Sequence, residues 1–239
     1  MKAIIIGATS GIGRELAKQL SEQGVELGIT GRRSELLDTL EVELQTNCYK
    51  LQMDLLNVSK TKIDFIKLLE KMDGVDIVII NSGTLSNDPE ESISGELETI
   101  GVNVVGFTII ANLSYHYFSQ RNKGHIVGIS SIAGLRGAQA VSYNASKAFV
   151  STYLEGLSCR LYSRNKNVFI TDVRPGFVDT KMALGDGVFW MSSTKKAVNQ
   201  IIKAINKKRR VVYITKRWNI IAPILYFLPF SIYKRLICR

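Results

Sequence analysis

Three cysteines in 239 residues, Cys48, Cys159 and Cys238, are scattered and odd in number, which excludes a disulfide framework. The chain enters the apolar run Ile4, Ile5, Ile6 almost at once, where a secretory leader would carry a longer apolar segment. These absences give the expectation of a reducing, cytoplasmic setting. No internal repeat, low-complexity tract or second-domain linker interrupts the sequence. Nor does an apolar run near the C-terminus reach the ~20 residues that span a bilayer. Residues 218–233, rich in Ile, Leu, Phe and Tyr, stop at sixteen and are broken by Pro223 and Pro229.

Acidic residues are missing from one end. Every Asp and Glu lies at or before Asp186, while residues 187–239 carry twelve Lys and Arg. The net charge of +10 is therefore wholly C-terminal. No recognition motif accompanies it, so nucleic acid is not an expected partner. Lys216, Arg217, Lys234 and Arg235 bracket the apolar segment. Four fates stay open for a tail over residues 216–239: closing a pocket, packing on a neighbouring subunit, docking an acidic carrier protein, or lying on an anionic membrane surface. The last would make a cytoplasmic protein peripheral on the inner face of the membrane.

What is present suits a globular domain, with 46% hydrophobic residues and length enough for a substantial core. Apolar runs near 2–6, 25–30, 48–53, 75–80, 124–129, 167–173 and 210–215 alternate with helical stretches. That rhythm predicts an α/β fold, a three-layer doubly wound Rossmann arrangement with a mostly parallel seven-stranded sheet, over residues 1–215.

Tyr143 and Lys147 stand four residues apart, which on a helix puts an ammonium beside a phenol. A neighbouring cation favours the phenolate and is expected to lower the Tyr pKa toward neutrality. Gly7, Gly11 and Gly13, with Thr9 and Ser10 between them and Ile12 inside the turn, follow the first strand and open a helix. Glycines there allow a tight turn and close backbone approach to a pyrophosphate, which then meets free N–H groups at the helix start. A pair of serines, Ser130 and Ser131, ends the fifth apolar run, and Ser131 precedes Ile-Ala-Gly.

With these segments in order, residues 1 to about 215 resemble the short-chain dehydrogenase/reductase family. The resemblance implies catalytic roles for Asn103, in a helical Asn103-Val-Val-Gly106 pattern, and for Ser131, Tyr143 and Lys147. It also implies cofactor contacts from Gly7, Thr9, Ser10, Gly11, Ile12, Gly13, Asp54, Asn81, Gly83, Tyr143, Lys147, Pro175, Val178 and Thr180. Both Ser130 and Ser131 are candidates for the catalytic serine, with Ser131 preferred for its place before Ile-Ala-Gly. The usual Asn-Asn-Ala-Gly of the family is Ile80-Asn81-Ser82-Gly83 here, and the loop over 134–142 is one residue shorter than its commonest form.

NAD-binding relatives place an acid at the end of the second strand, where this chain has Gly31, Arg32 and Arg33. Guanidinium groups pair with a 2′-phosphate, so NADP(H) is the expected cofactor. The implied activity is interconversion of a carbonyl and a secondary alcohol, with pocket walls from 84–98, 132–142 and 182–196. Expected substrates are small-molecule or lipid-linked carbonyls, hydrophobic or anionic, such as a 3-oxoacyl thioester or a lipid-linked ketosugar. The family habit implies a homodimer or homotetramer. No metal is expected. The alternative is a non-catalytic NADP sensor or scaffold with a vestigial site, against which the intact Asn, Ser, Tyr and Lys set argues.

Overall fold

A computed structural model describes residues 1–85, 92–180 and 190–237. In chain order the elements are β1 (Lys2–Ile6), α1 (Gly11–Glu22), β2 (Glu26–Gly31), α2 (Ser34–Glu43), β3 (Cys48–Gln52), α3 (Val58–Met72) and β4 (Ile77–Ile80). There follow α4 (Ile93–Ile100), α5 (Phe107–Arg121), β5 (Gly124–Ile129), α6 (Val141–Ser163), β6 (Val168–Pro175), α7 (Thr194–Asn206) and β7 (Val211–Ile214). Two short helices, α8 (Trp218–Phe227) and α9 (Phe230–Ile237), close the described chain.

All seven strands pair in parallel in the order β3-β2-β1-β4-β5-β6-β7. The expected mostly parallel sheet is fully parallel, because each strand-to-strand connection carries a helix across a face. Alternation along β1 shows why both faces are covered. Ile4 and Ile6 enter a core with Phe65, Phe107, Ile110 and Leu154 on one side, whereas Ala3 and Ile5 enter another with Leu16, Leu27, Ile201 and Ile205. The α5 and α6 helices serve the first core, and α1, α2 and α7 the second.

Strand order reverses between β1 and β4, so their C-terminal ends diverge into a crevice at the topological switch point. The glycine turn leaves β1 there, and Asn81, Ser82 and Gly83 leave β4 beside it. Asn103 lies in a π-helical turn, Gly101–Gly106, between α4 and α5, rather than in the regular α-helix that its sequence pattern suggests. Such a turn widens the backbone spiral and re-aims a side chain locally.

The buried histidine inside the sheet is paired. His125 on β5 is 6% exposed, and its Nε2 lies 2.8 Å from Thr171 Oγ1. Thr171 donates its own hydroxyl proton to the Arg209 carbonyl at 2.6 Å, which leaves His125 as the donor. Burial, aided by the Lys208 cation, pushes the His125 pKa down to about 4. Unfolding releases it to its ordinary value near 6.5, so the unfolded state binds more protons between those values. Stability is expected to fall as pH drops from about 6.5 to 4, by up to about 3 kcal/mol. A His125→Asn variant should lack that share of the acid sensitivity in urea titrations at stepped pH. Equal slopes for both proteins would refute the assignment.

Candidate active site

The floor of the crevice is built around glycines that have no room for a side chain. Gly7 and Gly11 hold φ of +87° and +54°, the region that favours glycine. A Cβ on Gly13 would stand 2.0 Å from the Gly7 carbonyl, so α1 packs against the end of β1 backbone to backbone. Asn81 Nδ2 donates to that same Gly7 carbonyl at 2.7 Å, and Ser82 lies directly against Gly7. No side chain caps the start of α1 at Ser10, which leaves first-turn N–H groups open to a phosphate. Ile12 packs on the second core and anchors the turn.

Arg33 reaches back over this turn, donating from Nη2 to Thr9 Oγ1 at 3.0 Å and to Ser10 Oγ at 3.3 Å. A Cβ on Gly31 would lie 2.4 Å from Thr9 Cγ2, so an acidic side chain has no place there. Arg32 instead pairs with Glu98 on α4 at 3.2 Å. Asp54 is exposed after β3, and its Oδ1 accepts from the Leu56 N–H at 3.1 Å as a turn cap. Of these residues only Arg33 lies on the glycine turn, whereas Arg32 is held by α4 and Asp54 caps its own turn.

At the end of β5 the two serines part. Ser130 is buried and points into the sheet, donating to Asp172 and to the Val173 carbonyl at 3.0 Å. Ser131 faces the crevice, where its Oγ accepts from the Ala133 N–H at 3.0 Å and lies 3.4 Å from the Pro175 carbonyl. Its hydroxyl also interacts with the Tyr143 phenol. Lys147 on α6 is buried, donates from Nζ to the Ile129 carbonyl at 2.9 Å, and stands 5.6 Å from the centre of the Tyr143 ring. Gly83 makes room for it, since a Cβ there would meet Lys147 Nζ at 3.0 Å and Asn103 Oδ1 at 3.5 Å. Asn103 clamps the loop after β4: Oδ1 accepts from the Thr84 N–H at 2.8 Å, and Nδ2 donates to the Thr84 carbonyl at 2.8 Å and to Ser146 Oγ at 3.0 Å.

The electrostatics differ from the simple expectation of a phenol acidified by its neighbour. Burial pushes the Tyr143 phenol above its ordinary value, against the Ser131 hydrogen bond that favours the phenolate. Burial likewise pulls Lys147 down to about 8, with the Asp172 carboxylate opposing. Both groups are withdrawn from water, and desolvation outweighs the Ser131 hydrogen bond on the phenol and the Asp172 carboxylate near the ammonium.

The roof comes from the chain after β6. Pro175 is buried beside Ser131, and Val178 pairs with Ser192 through an isolated bridge. Thr180 comes over the glycine turn, its side chain 3.0 Å from where a Cβ on Gly11 would be. Of the expected pocket walls, 86–91 and 182–189 lie outside the described residues. A search against protein-family descriptions matches residues 1–188 to short chain dehydrogenase. The chain belongs to the short-chain dehydrogenase family.

As a dehydrogenase of this family it is an oxidoreductase with a nucleotide-binding Rossmann fold. It is 35% identical over 189 residues to an uncharacterized oxidoreductase of Myxococcus xanthus, covering 75% of this chain and 73% of that one. An NADP-dependent 3-hydroxy acid dehydrogenase of Shigella flexneri is 33% identical over 182 residues, covering 74% and 73%. Among solved structures, serine dehydrogenase from Escherichia coli superposes with a TM-score of 0.68 at 30% identity, covering 74% of this chain and 83% of that one.

Several residues that shape this dehydrogenase site carried no chemical signal in the sequence. Asn144, next to Tyr143, donates from Nδ2 to the Ala133 carbonyl at 2.7 Å and to the Arg136 carbonyl at 3.3 Å, pinning the short loop that the spacing implied. Gly134 lets that loop touch α6, since a Cβ there would meet the Lys147 backbone at 2.5 Å. Asp172, on the neighbouring strand, holds both Ser130 and Arg174, the latter at 2.7 Å. An adjacent Asn and a glycine inside a loop could have been flagged, whereas Asp172 becomes visible once β6 lies beside β5.

The opposite orientations of the two serines give a measurable contrast. Ser130→Ala removes a donor to a buried carboxylate and is expected to cost about 1–3 kcal/mol of unfolding free energy. Ser131→Ala loses a local cap and should cost about 0.5–1 kcal/mol. Guanidinium denaturation of both variants checks this, and the reverse ranking would mean that the side chains are placed the other way round.

Proposed function

We propose that this oxidoreductase is an NADP(H)-dependent carbonyl reductase acting on hydrophobic or anionic ketones, such as a 3-oxoacyl thioester or a lipid-linked ketosugar. The observation that carries the reading is the convergence of Ser131, Tyr143 and Lys147 at the end of β5, facing an uncapped helix start across the same crevice. The glycine turn with Thr9 and Ser10 would hold the pyrophosphate, and Asn81 and Gly83 keep that turn and the Lys147 tip in place. Pro175, Val178 and Thr180 would line the nicotinamide side, with Asp54 at the adenine edge. Bound NADP(H) would supply the hydride to the carbonyl carbon.

The chain's own residues handle the oxygen. Ser131 donates a hydrogen bond to the carbonyl oxygen and fixes its orientation, and Tyr143 delivers its proton to that oxygen as the alcohol forms. A phenol held protonated by burial is in the form that reduction consumes. Once the proton has left, the Lys147 ammonium stabilises the phenolate, and it would also hold the nicotinamide ribose. Asn103, through its three hydrogen bonds to Thr84 and Ser146, fixes the wall against which Lys147 rests.

NADP(H) over NAD(H) is supported by Arg33 on the Thr9 and Ser10 hydroxyls, by the absence of any acid at Gly31, and by the NADP dependence of the Shigella relative. Arg32, paired with Glu98, would have to release that partner to join Arg33 on a 2′-phosphate. A cytoplasmic homodimer or homotetramer, formed through α5 and α6, completes the reading.

NADPH oxidation against a panel of ketones, acyl thioesters and prenyl-linked ketosugars is expected to show turnover that exceeds the NADH rate. Tyr143→Phe should lower that turnover by about 10²–10⁴-fold while NADPH still quenches or shifts protein fluorescence. Full activity in Tyr143→Phe would remove the proton-transfer role, and binding without turnover in the natural protein would favour a sensor. Arg33→Ala is expected to raise the Kd for NADPH by about tenfold or more and to leave that for NADH nearly unchanged. Equal losses for both nucleotides would refute the 2′-phosphate contact.

A further inference from the structure

The C-terminal helices are apolar on two sides. Trp218 and Ala222, one turn apart on α8, are buried at 2% and 1% exposure, as is Tyr233 on α9. Trp218 fills the space beside Gly176, where a Cβ would lie 2.0 Å from its Nε1. Arg136, on the loop after Ser131, donates to the Leu225 and Leu228 carbonyls and lies 4.1 Å over the Tyr233 ring, while Tyr233 OH donates to the Gly137 carbonyl at 3.0 Å. The tail is thus bound to both segments that frame the candidate active site, those at 131–137 and 175–177.

The outer side of the same helices is also apolar. Ile220, Ile224 and Phe227, spaced by four and three residues along α8, are 70%, 56% and 80% exposed, and Phe230 and Leu236 on α9 are similarly bare. A surface helix of a soluble domain normally carries polar groups on that face. Beside the base of α8 runs a groove of about 960 Å³, lined by Trp190 and by five cations, Lys195, Lys196, Lys203, Lys216 and Arg217, with no acid among its lining residues. It contains none of Ser131, Tyr143 or Lys147. Among the described residues, none of these five cations forms an ion pair.

We propose that α8 and α9 form a docking surface for an anionic lipid bilayer, their outer apolar side chains entering the interface and the cations around them meeting headgroup phosphates. The helices are too short to cross. The ten residues of α8 extend about 15 Å, against a hydrocarbon core of about 30 Å, so they lie along the surface. Apolar burial and basic charge act together, as stable interfacial binding requires. A second copy of this chain fits the same face poorly. Its Lys216, Arg217, Lys234 and Arg235 would meet their own counterparts across the contact, with no acid from residues 187–239 to offset them. Through Arg136, Tyr233 and Trp218 the docked helices connect to the frame of the candidate active site. Taken with the carbonyl-reductase reading, docking favours the lipid-linked ketone over the acyl thioester as substrate, but docking itself does not depend on that reading.

The test is flotation of the full-length protein with vesicles of phosphatidylcholine alone and of phosphatidylcholine mixed with phosphatidylglycerol, at low and high salt. Binding is expected to the anionic vesicles, weakened by salt and absent from neutral ones. Lys216→Gln and Lys234→Gln should each lower the partition coefficient by about fivefold. Ile224→Ser combined with Phe227→Ser, both solvent-facing, should abolish binding without changing the thermal midpoint. Equal binding to neutral vesicles, or full binding by these variants, would overturn the proposal. So would concentration-dependent dimerisation that the Ile224→Ser, Phe227→Ser protein loses, which would assign the face to a second copy. Turnover of a water-soluble ketone in the same variant reports on the catalytic reading separately: docking can fail with turnover intact, and turnover can fail with docking intact.

Discussion

The arrangement of the crevice follows from placing one ammonium group out of water. Lys147 sits 4% exposed at the mouth of a parallel sheet, and its Nζ hydrogen bond to the Ile129 carbonyl ties α6 to the end of β5. An isolated buried cation is costly, so the surroundings must supply acceptors and negative charge at close range. Ile129 supplies the first and Asp172 the second. A side chain at Gly134 would clash with the Lys147 backbone, and one at Gly83 would press against the Lys147 tip. The π-helical turn and the Asn103 clamp hold the loop that closes the other side. Tyr143 and Ser131 are neighbours within this frame, and their withdrawal from water is the same constraint seen from the phenol.

A second constraint is the backbone contact between Gly13 and Gly7, which sets how closely α1 approaches β1. It brings the open start of α1 to the switch point, opposite the loop from β4 that Asn81 fastens to the same carbonyl. The sheet therefore places the open start of α1 and the Ser131, Tyr143 and Lys147 side chains across one crevice. The C-terminal helices join this crevice to the exterior. They seat Trp218 against Gly176 and Tyr233 against Arg136, and they leave an apolar and cationic outer face that differs from the slightly acidic body.

Much of this was legible in the chain because parallel strands buried on both faces read as continuous apolar runs, and each of the seven runs became a strand to within about two residues. The spacing of Tyr143 and Lys147 put both on one side of α6 for the same helical reason that made the pair noticeable. Less legible was the protonation chemistry. Proximity on a helix suggested an acidified phenol, but desolvation depends on how many atoms pack around both groups, and that packing comes from β5, β6 and the loop after β4 together. Asp172 and Asn144 were missed for a related reason, since their partners lie 42 and 11 residues away.

Local residue order by itself determined the α/β class, the glycine turn, the charge asymmetry and the Tyr143–Lys147 pair, whereas grouping Asn103 and Ser131 with that pair came from the family resemblance. The former features rest on periodicity and short-range spacing, which a linear chain records directly. Tertiary structure decided which serine faces the crevice, that Arg33 rather than Arg32 lies on the glycine turn, and which side of α8 is left bare. Each of these is a choice of direction for a side chain, and direction is fixed by partners distant in sequence: Asp172 for Ser130, Glu98 for Arg32, and Gly176 for Trp218.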